Sequence, residues 1–137
     1  WDSTPADTTW SGDTAYFTAG EALVAGEVCY LKASDGKMWK AVATAVGTMP
    51  VRAMATAAIS ADASGLLLTK GYIRHDANMP TWTVGATTYA PEAETSSQNV
   101  PEQTAPDSDG DQVQTLGYAV NANVLYFDPS GTVIEVA

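Results

Sequence analysis

Residues 26–42 read GEVCYLKASDGKMWKAV, and this stretch decides the class of fold. Two runs rich in β-forming residues flank Asp35 and Gly36, a pair that tolerates the positive φ angles of a tight two-residue hairpin turn. A turn closed on those two residues places Lys32 opposite Trp39, so that the ammonium group lies over the indole ring. The stretch therefore predicts a β-hairpin, and its residue types indicate no catalytic chemistry.

Short β-type runs separated by turn residues continue on both sides of the hairpin, at a spacing of about 8–12 residues. The clearest are residues 66–73, 113–120 and 124–127. The run at 51–59 is rich in alanine, which favours a helical turn, but its alternation after Pro50 favours a strand. The sequence therefore predicts an all-β single domain, a β-barrel or sandwich of about eight to ten short antiparallel strands.

The N-terminal residues differ in composition from the rest of the chain. Residues 1–13 are polar and rich in Thr and Asp, which predicts an extended N-terminal arm or an irregular edge strand. Residues 14–137 are predicted to form the barrel or sandwich domain, beginning with a short strand at 14–18. The predicted subunit interface consists of four aromatic residues of the arm and of this strand: Trp1, Trp10, Tyr16 and Phe17.

A weak internal similarity connects the two halves of the chain. Residues 24–30 resemble residues 84–89, since each segment has a Val, a Gly and then a strand that ends in Tyr. Each is followed, after an excursion, by a pair of predicted strands. The similarity suggests two related β lobes that close one barrel.

The charge of the chain disfavours nucleic acid as a partner. Sixteen acidic residues against six basic ones give a net charge of -10, which disfavours nucleic-acid binding because phosphate contacts require clustered Lys or Arg. The basic cluster Lys32, Lys37 and Lys40 lies in the hairpin, where lysines keep a strand edge soluble. The sequence has no apolar run long enough for a transmembrane helix and no signal-peptide pattern, so no membrane partner is expected.

Candidate catalytic residues are few. Cys29 lies in mid-strand, where a buried inert thiol is the favoured interpretation. His75 is the single histidine, and its neighbours Arg74 and Asp76 point to the other face of an extended chain. No Gly-x-Ser-x-Gly elbow and no phosphate-binding Gly-rich loop occurs. We therefore expect a protein that is not an enzyme and uses no cofactor.

Two other groups of residues suggest ligands. Asp107, Asp109 and Asp111 form an acidic segment for which a solvated turn is the favoured interpretation and a Ca²⁺ site the alternative. Tryptophans are most often buried in a core or an interface. Exposed aromatic rings also stack on sugars, and the candidate contacts for a glycan are Trp39, Trp82 and Tyr89.

Four segments, residues 15–41, 48–76, 82–90 and 104–130, carry a resemblance to a known group of proteins. They include AGEVCYLK, MATAAISADASGLLL and TAPDSDGDQVQTLGYA. The series resembles a recurrent C-terminal β-domain of tailed-phage structural proteins, found in head fibres, tail-fibre-like proteins and capsid decoration (cement) proteins. The excursion at 91–101 is longer and more acidic than in that group.

The resemblance implies a virion component without catalytic residues. We expect a non-enzymatic phage structural protein on the capsid exterior, as a decoration or head-fibre protein. Its expected partners are further copies of itself, as a homotrimer, and other virion proteins such as the major capsid protein. The alternative is the receptor-binding tip domain of a phage tail fibre, with a host glycan as partner.

Overall fold

The computed structural model describes residues 4–92 and 98–137. These residues form ten β-strands and one short 3-10 turn (Val46–Thr48). The strands are β1 (Thr9–Thr18), β2 (Val28–Leu31), β3 (Met38–Lys40), β4 (Ala53–Ala55), β5 (Ser64–Arg74), β6 (Thr87–Tyr89), β7 (Gln112–Val113), β8 (Thr115–Ala119), β9 (Val124–Phe127) and β10 (Ile134–Glu135). The predicted all-β single domain is confirmed.

Eight strands form one antiparallel sheet that curls into a half-barrel. Its order is β3-β2-β4-β5-β9-β8-β6, and β1 pairs with β5 in addition. Because β1 runs along the whole length of β5, the strands β4 and β9 must share the opposite edge of β5. The strands β7 and β10 form a separate two-stranded ribbon.

Apolar side chains fill both faces of the sheet around β4. Met54 belongs to a main core, whereas its neighbours Ala53 and Ala55 belong to a second core. Alternate residues of a strand point to opposite faces, so the two cores lie on opposite sides of the sheet. The main core continues under β9 through Leu125 and Phe127.

The two halves of the sheet repeat one arrangement. The first unit orders its strands β2-β4-β5 and the second β6-β8-β9, and the units join where β5 pairs with β9. Their turns make matching backbone hydrogen bonds. In the first unit, the N–H of Gly26 donates to Ala55 at 2.9 Å. In the second, the N–H of Gly85 donates to Ala119 at 2.8 Å. The similarity of residues 24–30 and 84–89 thus corresponds to a shared local structure.

The predicted hairpin forms, but its two-residue turn is wrong. Tyr30 lies opposite Trp39, and the N–H of Lys32 donates to the carbonyl oxygen of Lys37 at 2.9 Å, so four residues form the loop. Gly36 takes the positive φ of 68° that ends this loop. The carboxylate of Asp35 accepts the N–H of Lys37 at 3.0 Å, which stabilises the longer loop.

The predicted boundary of the arm at residue 13 falls inside a strand, because β1 begins at Thr9. Gly12 lies opposite Gly71, and a Cβ atom at Gly12 would be 2.3 Å from the carbonyl oxygen of Lys70. Two facing glycines therefore let the strands approach where side chains would collide. Residues 9–13 thus form the edge strand that was the other interpretation of this segment.

Candidate functional site

The aromatic residues predicted for a subunit interface lie on β1 wherever the structure describes them. Trp1 lies outside the described residues. Tyr16 is 74% exposed and Trp10 is 38% exposed. Phe17 is half-buried and packs against the second core of its own chain. Two large aromatic side chains of β1 are therefore accessible to a partner, whereas Phe17 contributes to the fold of this chain.

The outer edge of β1 carries no partner strand in residues 4–92 and 98–137. One edge pairs with β5 from Thr9 to Thr18, and no described strand pairs with the other edge. The unpaired N–H and C=O groups of such an edge are a template for a strand of another chain. The strand β1 thus offers both backbone and aromatic contacts to a second molecule.

The residues before β1 are held against the segment after β5. The guanidinium of Arg74 donates to the carbonyl oxygen of Pro5 at 2.8 Å, and the N–H of Asp76 donates to the carboxylate of Asp7 at 2.8 Å. Arg74 also donates to both carboxylate oxygens of Asp76, at 2.9 and 2.7 Å. These hydrogen bonds lower the pKa of Asp76. Arg74 and Asp76 therefore orient the start of β1.

Trp39 is enclosed by contacts within its own part of the chain. The ammonium nitrogen of Lys32 lies 4.3 Å from the ring centroid, which confirms the predicted cation–π contact. The indole Nε1 donates to Asp35 at 3.1 Å, and a Cβ atom at Gly20 would lie 2.1 Å from the ring. Little of the ring face remains for a sugar.

The other two hairpin lysines have acidic partners in the same chain. Lys37 lies 2.6 Å from the carboxylate of Asp62, and Lys40 lies 3.5 Å from that of Glu27. The hydrogen bond to Asp62 raises the pKa of Lys37. The three lysines of the basic cluster thus contact three different residues of the same chain.

Trp82 and Tyr89, the other candidate glycan contacts, belong to the second unit. Trp82 is 4% exposed and is part of the main core. It lines a cleft of about 480 Å³ together with Met79 and Val100. Its Nε1 has no hydrogen-bond partner among the described atoms. Tyr89 is half-buried in β6. The buried indole leaves too little ring for stacking on a sugar from solution.

The acidic segment forms a turn. In the described ranges no three acidic, His or Cys side chains are placed to hold a metal ion. The carboxylates of Asp107, Asp109 and Asp111 therefore do not form a common cation site. Asp111 is buried and accepts the N–H of Ser108 at 3.1 Å. A hydrogen bond to Asp111, together with burial and neighbouring negative charge, raises the pKa of Glu92.

The thiol of Cys29 is fully buried in β2. Burial, reinforced by the charge of Glu27, raises the pKa of Cys29 well above its ordinary value. Because the thiolate is the reactive form, this environment makes Cys29 a poor nucleophile. This placement confirms the interpretation of a buried thiol.

A row of three tyrosines crosses the face of the sheet that points away from the main core, which we call the outer face. The strand register places Tyr72, Tyr126 and Tyr118 side by side on β5, β9 and β8. The ring centroids are 4.9 Å apart for Tyr72 and Tyr126 and 5.3 Å apart for Tyr118 and Tyr126. Tyr118 is 45% exposed. We call these three residues the tyrosine row.

The tyrosine row faces away from the main core. Leu125 and Phe127, on either side of Tyr126, are fully buried in that core. Because side chains alternate along a strand, Tyr126 points to the opposite face. Sequence reasoning missed this site: residues 124–127 are predicted to be a strand, but all four are apolar or aromatic, so their pattern does not show which face Tyr126 takes. Which tyrosines become neighbours depends on the pairing of β5 with β9, which no local pattern indicates.

A depression of about 390 Å³ lies at one end of the tyrosine row. Its floor includes Gly117, whose φ is 121° and where a Cβ atom would lie 1.9 Å from the carbonyl oxygen of Tyr126. No side chain is therefore tolerated at this position, and the backbone stays bare beside the rings. The lining residues are Gly85, Thr87, Thr115, Gly117, Tyr118, Tyr126 and Asp128.

Comparisons with known proteins add no family assignment. A scan against protein-family models gives no match, and no curated protein is similar at a significant level. Among the described residues, no helix is long and apolar enough to cross a membrane. The functional argument therefore depends on the strand edge and the surfaces of the chain itself.

Proposed function

We propose that this chain is a non-enzymatic phage virion structural protein. It assembles on the capsid exterior as a decoration (cement) or head-fibre protein. The observation that carries the proposal is β1, a ten-residue strand with an outer edge that pairs with no described strand and with exposed Trp10 and Tyr16. The resemblance of residues 15–41, 48–76, 82–90 and 104–130 to phage β-domains supports the same class.

In this proposal β1 is the contact between subunits. A strand of a neighbouring subunit adds to the open edge through backbone hydrogen bonds, while the exposed aromatic rings supply apolar contact area. Residues 4–8 lead directly into this edge, and the contacts of Pro5 and Asp7 with Arg74 and Asp76 fix its direction. The net charge of -10 keeps the outward surface of a densely packed array soluble.

The assembly state tests the proposal. We expect the purified chain to form a homotrimer in light-scattering chromatography and to co-sediment with capsid shells that lack it. Tyr16→Ala and Trp10→Ala are expected to weaken association by at least about fivefold each, since aromatic anchors contribute more than about 1 kcal/mol at interfaces.

Tyr118→Ala serves as the matched control, because it removes an exposed tyrosine away from β1 and is expected to leave association unchanged. Circular dichroism establishes that each variant is folded. A folded chain that stays monomeric at all concentrations and does not bind such shells would contradict the proposal.

A further inference from the structure

The tyrosine row and the depression beside it form one continuous surface on the outer face of the sheet. Tyr118 and Tyr126 belong to both, since they line the depression and also contact each other. The planes of neighbouring rings are inclined by 45° and 48°, so the row is a stepped platform rather than a flat one. It offers several partly exposed aromatic surfaces in one line.

Polar groups border this aromatic platform. The side chain of Asp128 lines the depression, and its Oδ2 lies 3.9 Å from Nζ of Lys70. The exposed threonines Thr87 and Thr115 line the same depression. A carboxylate accepts hydrogen bonds and a hydroxyl both accepts and donates them. The surface thus combines aromatic rings, bare backbone and hydrogen-bonding side chains within a small area.

This combination has the chemistry of a carbohydrate site. One face of a pyranose ring is covered with C–H groups that pack on an aromatic ring, while its hydroxyl groups need polar partners at the edge. We propose that the tyrosine row binds a neutral carbohydrate chain, with one sugar in the depression against Tyr118 and its hydroxyl groups donating to Asp128.

Other ligand classes fit this surface less well. The chain carries a net charge of -10, which disfavours phosphate-bearing and sialylated ligands. The depression has a volume of about 390 Å³, which lies within the range of small-ligand sites. A neutral sugar chain matches both the charge and the size.

The tyrosine row lies on a face of the sheet, whereas the proposed function uses the outer edge of β1, so either can exist without the other. Tyr72, at one end of the row, lies opposite Ser11 of β1. Saturation-transfer NMR with chitotetraose and cellotetraose, at roughly millimolar concentration, tests it on the full chain. We expect transfer to the protons of at least one of these sugars and none to sialyllactose. Tyr118→Ala is expected to weaken binding at least tenfold, and Asp128→Asn severalfold.

Val46→Ala is the control, because it removes an exposed apolar side chain that lies neither in the row nor in β1, and sugar binding is expected to persist. Tyr118 is exposed, so its truncation leaves the fold intact, which circular dichroism checks. Tyr72→Ala provides a second variant at the other end of the row. Two results would overturn the proposal: no transfer to either neutral sugar, or equal binding by wild type, Tyr118→Ala and Tyr72→Ala. Loss of self-association in Tyr118→Ala would instead identify the surface as an interface between copies.

Discussion

Glu27 is a buried carboxylate whose contacts join separate segments of the chain. Its Oε2 accepts the N–H of Val24 at 2.9 Å, and its Oε1 accepts the N–H of Asn99 at 3.3 Å. The ammonium nitrogen of Lys40 lies 3.5 Å from Oε1. At the matching turn of the second unit, the N–H of Thr83 donates to Oε1 of Gln103 at 2.8 Å. Both turns therefore use a side-chain acceptor.

Glu27→Gln is expected to lower the free energy of unfolding by about 3 kcal/mol, since removal of one partner leaves the other charge poorly compensated in a buried site. The amide also turns a donor toward backbone N–H groups. Urea denaturation measures the change. Asp109→Asn makes the same carboxylate-to-amide change at an exposed position and is expected to stay within about 0.5 kcal/mol of wild type. Equal stability of the two variants would contradict this role of Glu27.

Single residues could be predicted from the sequence where a local pattern fixes their environment. The inert thiol of Cys29 follows from its mid-strand position. The contact of Lys32 with Trp39 is present although the strand pairing used to predict it is wrong, since Tyr30 lies opposite Trp39. The role of Glu27 does not follow from a local pattern, because a glutamate next to a turn usually lies in solvent. Its carboxylate accepts the N–H of Asn99, which is distant in sequence and adjacent only in the folded chain.

At the scale of elements, the pairing of β8 with β9 depends on one glycine. Gly117 lies opposite Phe127 with a φ of 121°, and a Cβ atom there would be 1.9 Å from a backbone oxygen. Backbone atoms cannot move aside as the end of a side chain can. The two strands therefore approach closely only because this position lacks a side chain.

Gly117→Ala is expected to destabilise the fold by at least about 2 kcal/mol, because it adds both a steric collision and an unfavourable φ. Thermal unfolding followed by circular dichroism measures the effect. Gly131→Ala is the matched control: its Cβ would meet nothing within 4 Å, so little change is expected. A Gly117→Ala protein as stable as Gly131→Ala would show that β8 and β9 can separate without cost.

The positions of the strands along the chain were easier to predict than the way in which the strands pair. The runs of β-forming residues at 66–73 and 124–127 correctly indicate β5 and β9, and the strand interpretation of 51–59 is confirmed in Ala53–Ala55. The predicted length of β1 and the predicted two-residue loop of the hairpin were wrong. The first depends on the close approach of two backbones, and the second on a glycine with positive φ. These features concern paired strands, and a pattern along one strand does not report them.

At the scale of the whole molecule, two similar three-stranded units share one sheet and one core. The units meet along β5 and β9, where Tyr72 lies opposite Tyr126. The main core contains Met54 from the first unit and Leu125 from the second. Neither unit buries its apolar face alone, because each covers the other. The sequence similarity of 24–30 and 84–89 indicates two related lobes, but it does not include the residues of β5 and β9 through which the two units pair.

Because the core is shared, we expect the two units to unfold together in one transition. Leu125→Ala in the second unit and Met54→Ala in the first are each expected to cost about 2–5 kcal/mol, since both side chains are fully buried. Each variant should shift the same single calorimetric peak, with calorimetric and van't Hoff enthalpies equal. Leu31→Ala, at an exposed position of β2, is expected to change stability by about 0.5 kcal/mol or less. Two separate transitions in Leu125→Ala, one at the wild-type temperature, would instead show that the first unit is stable without the second.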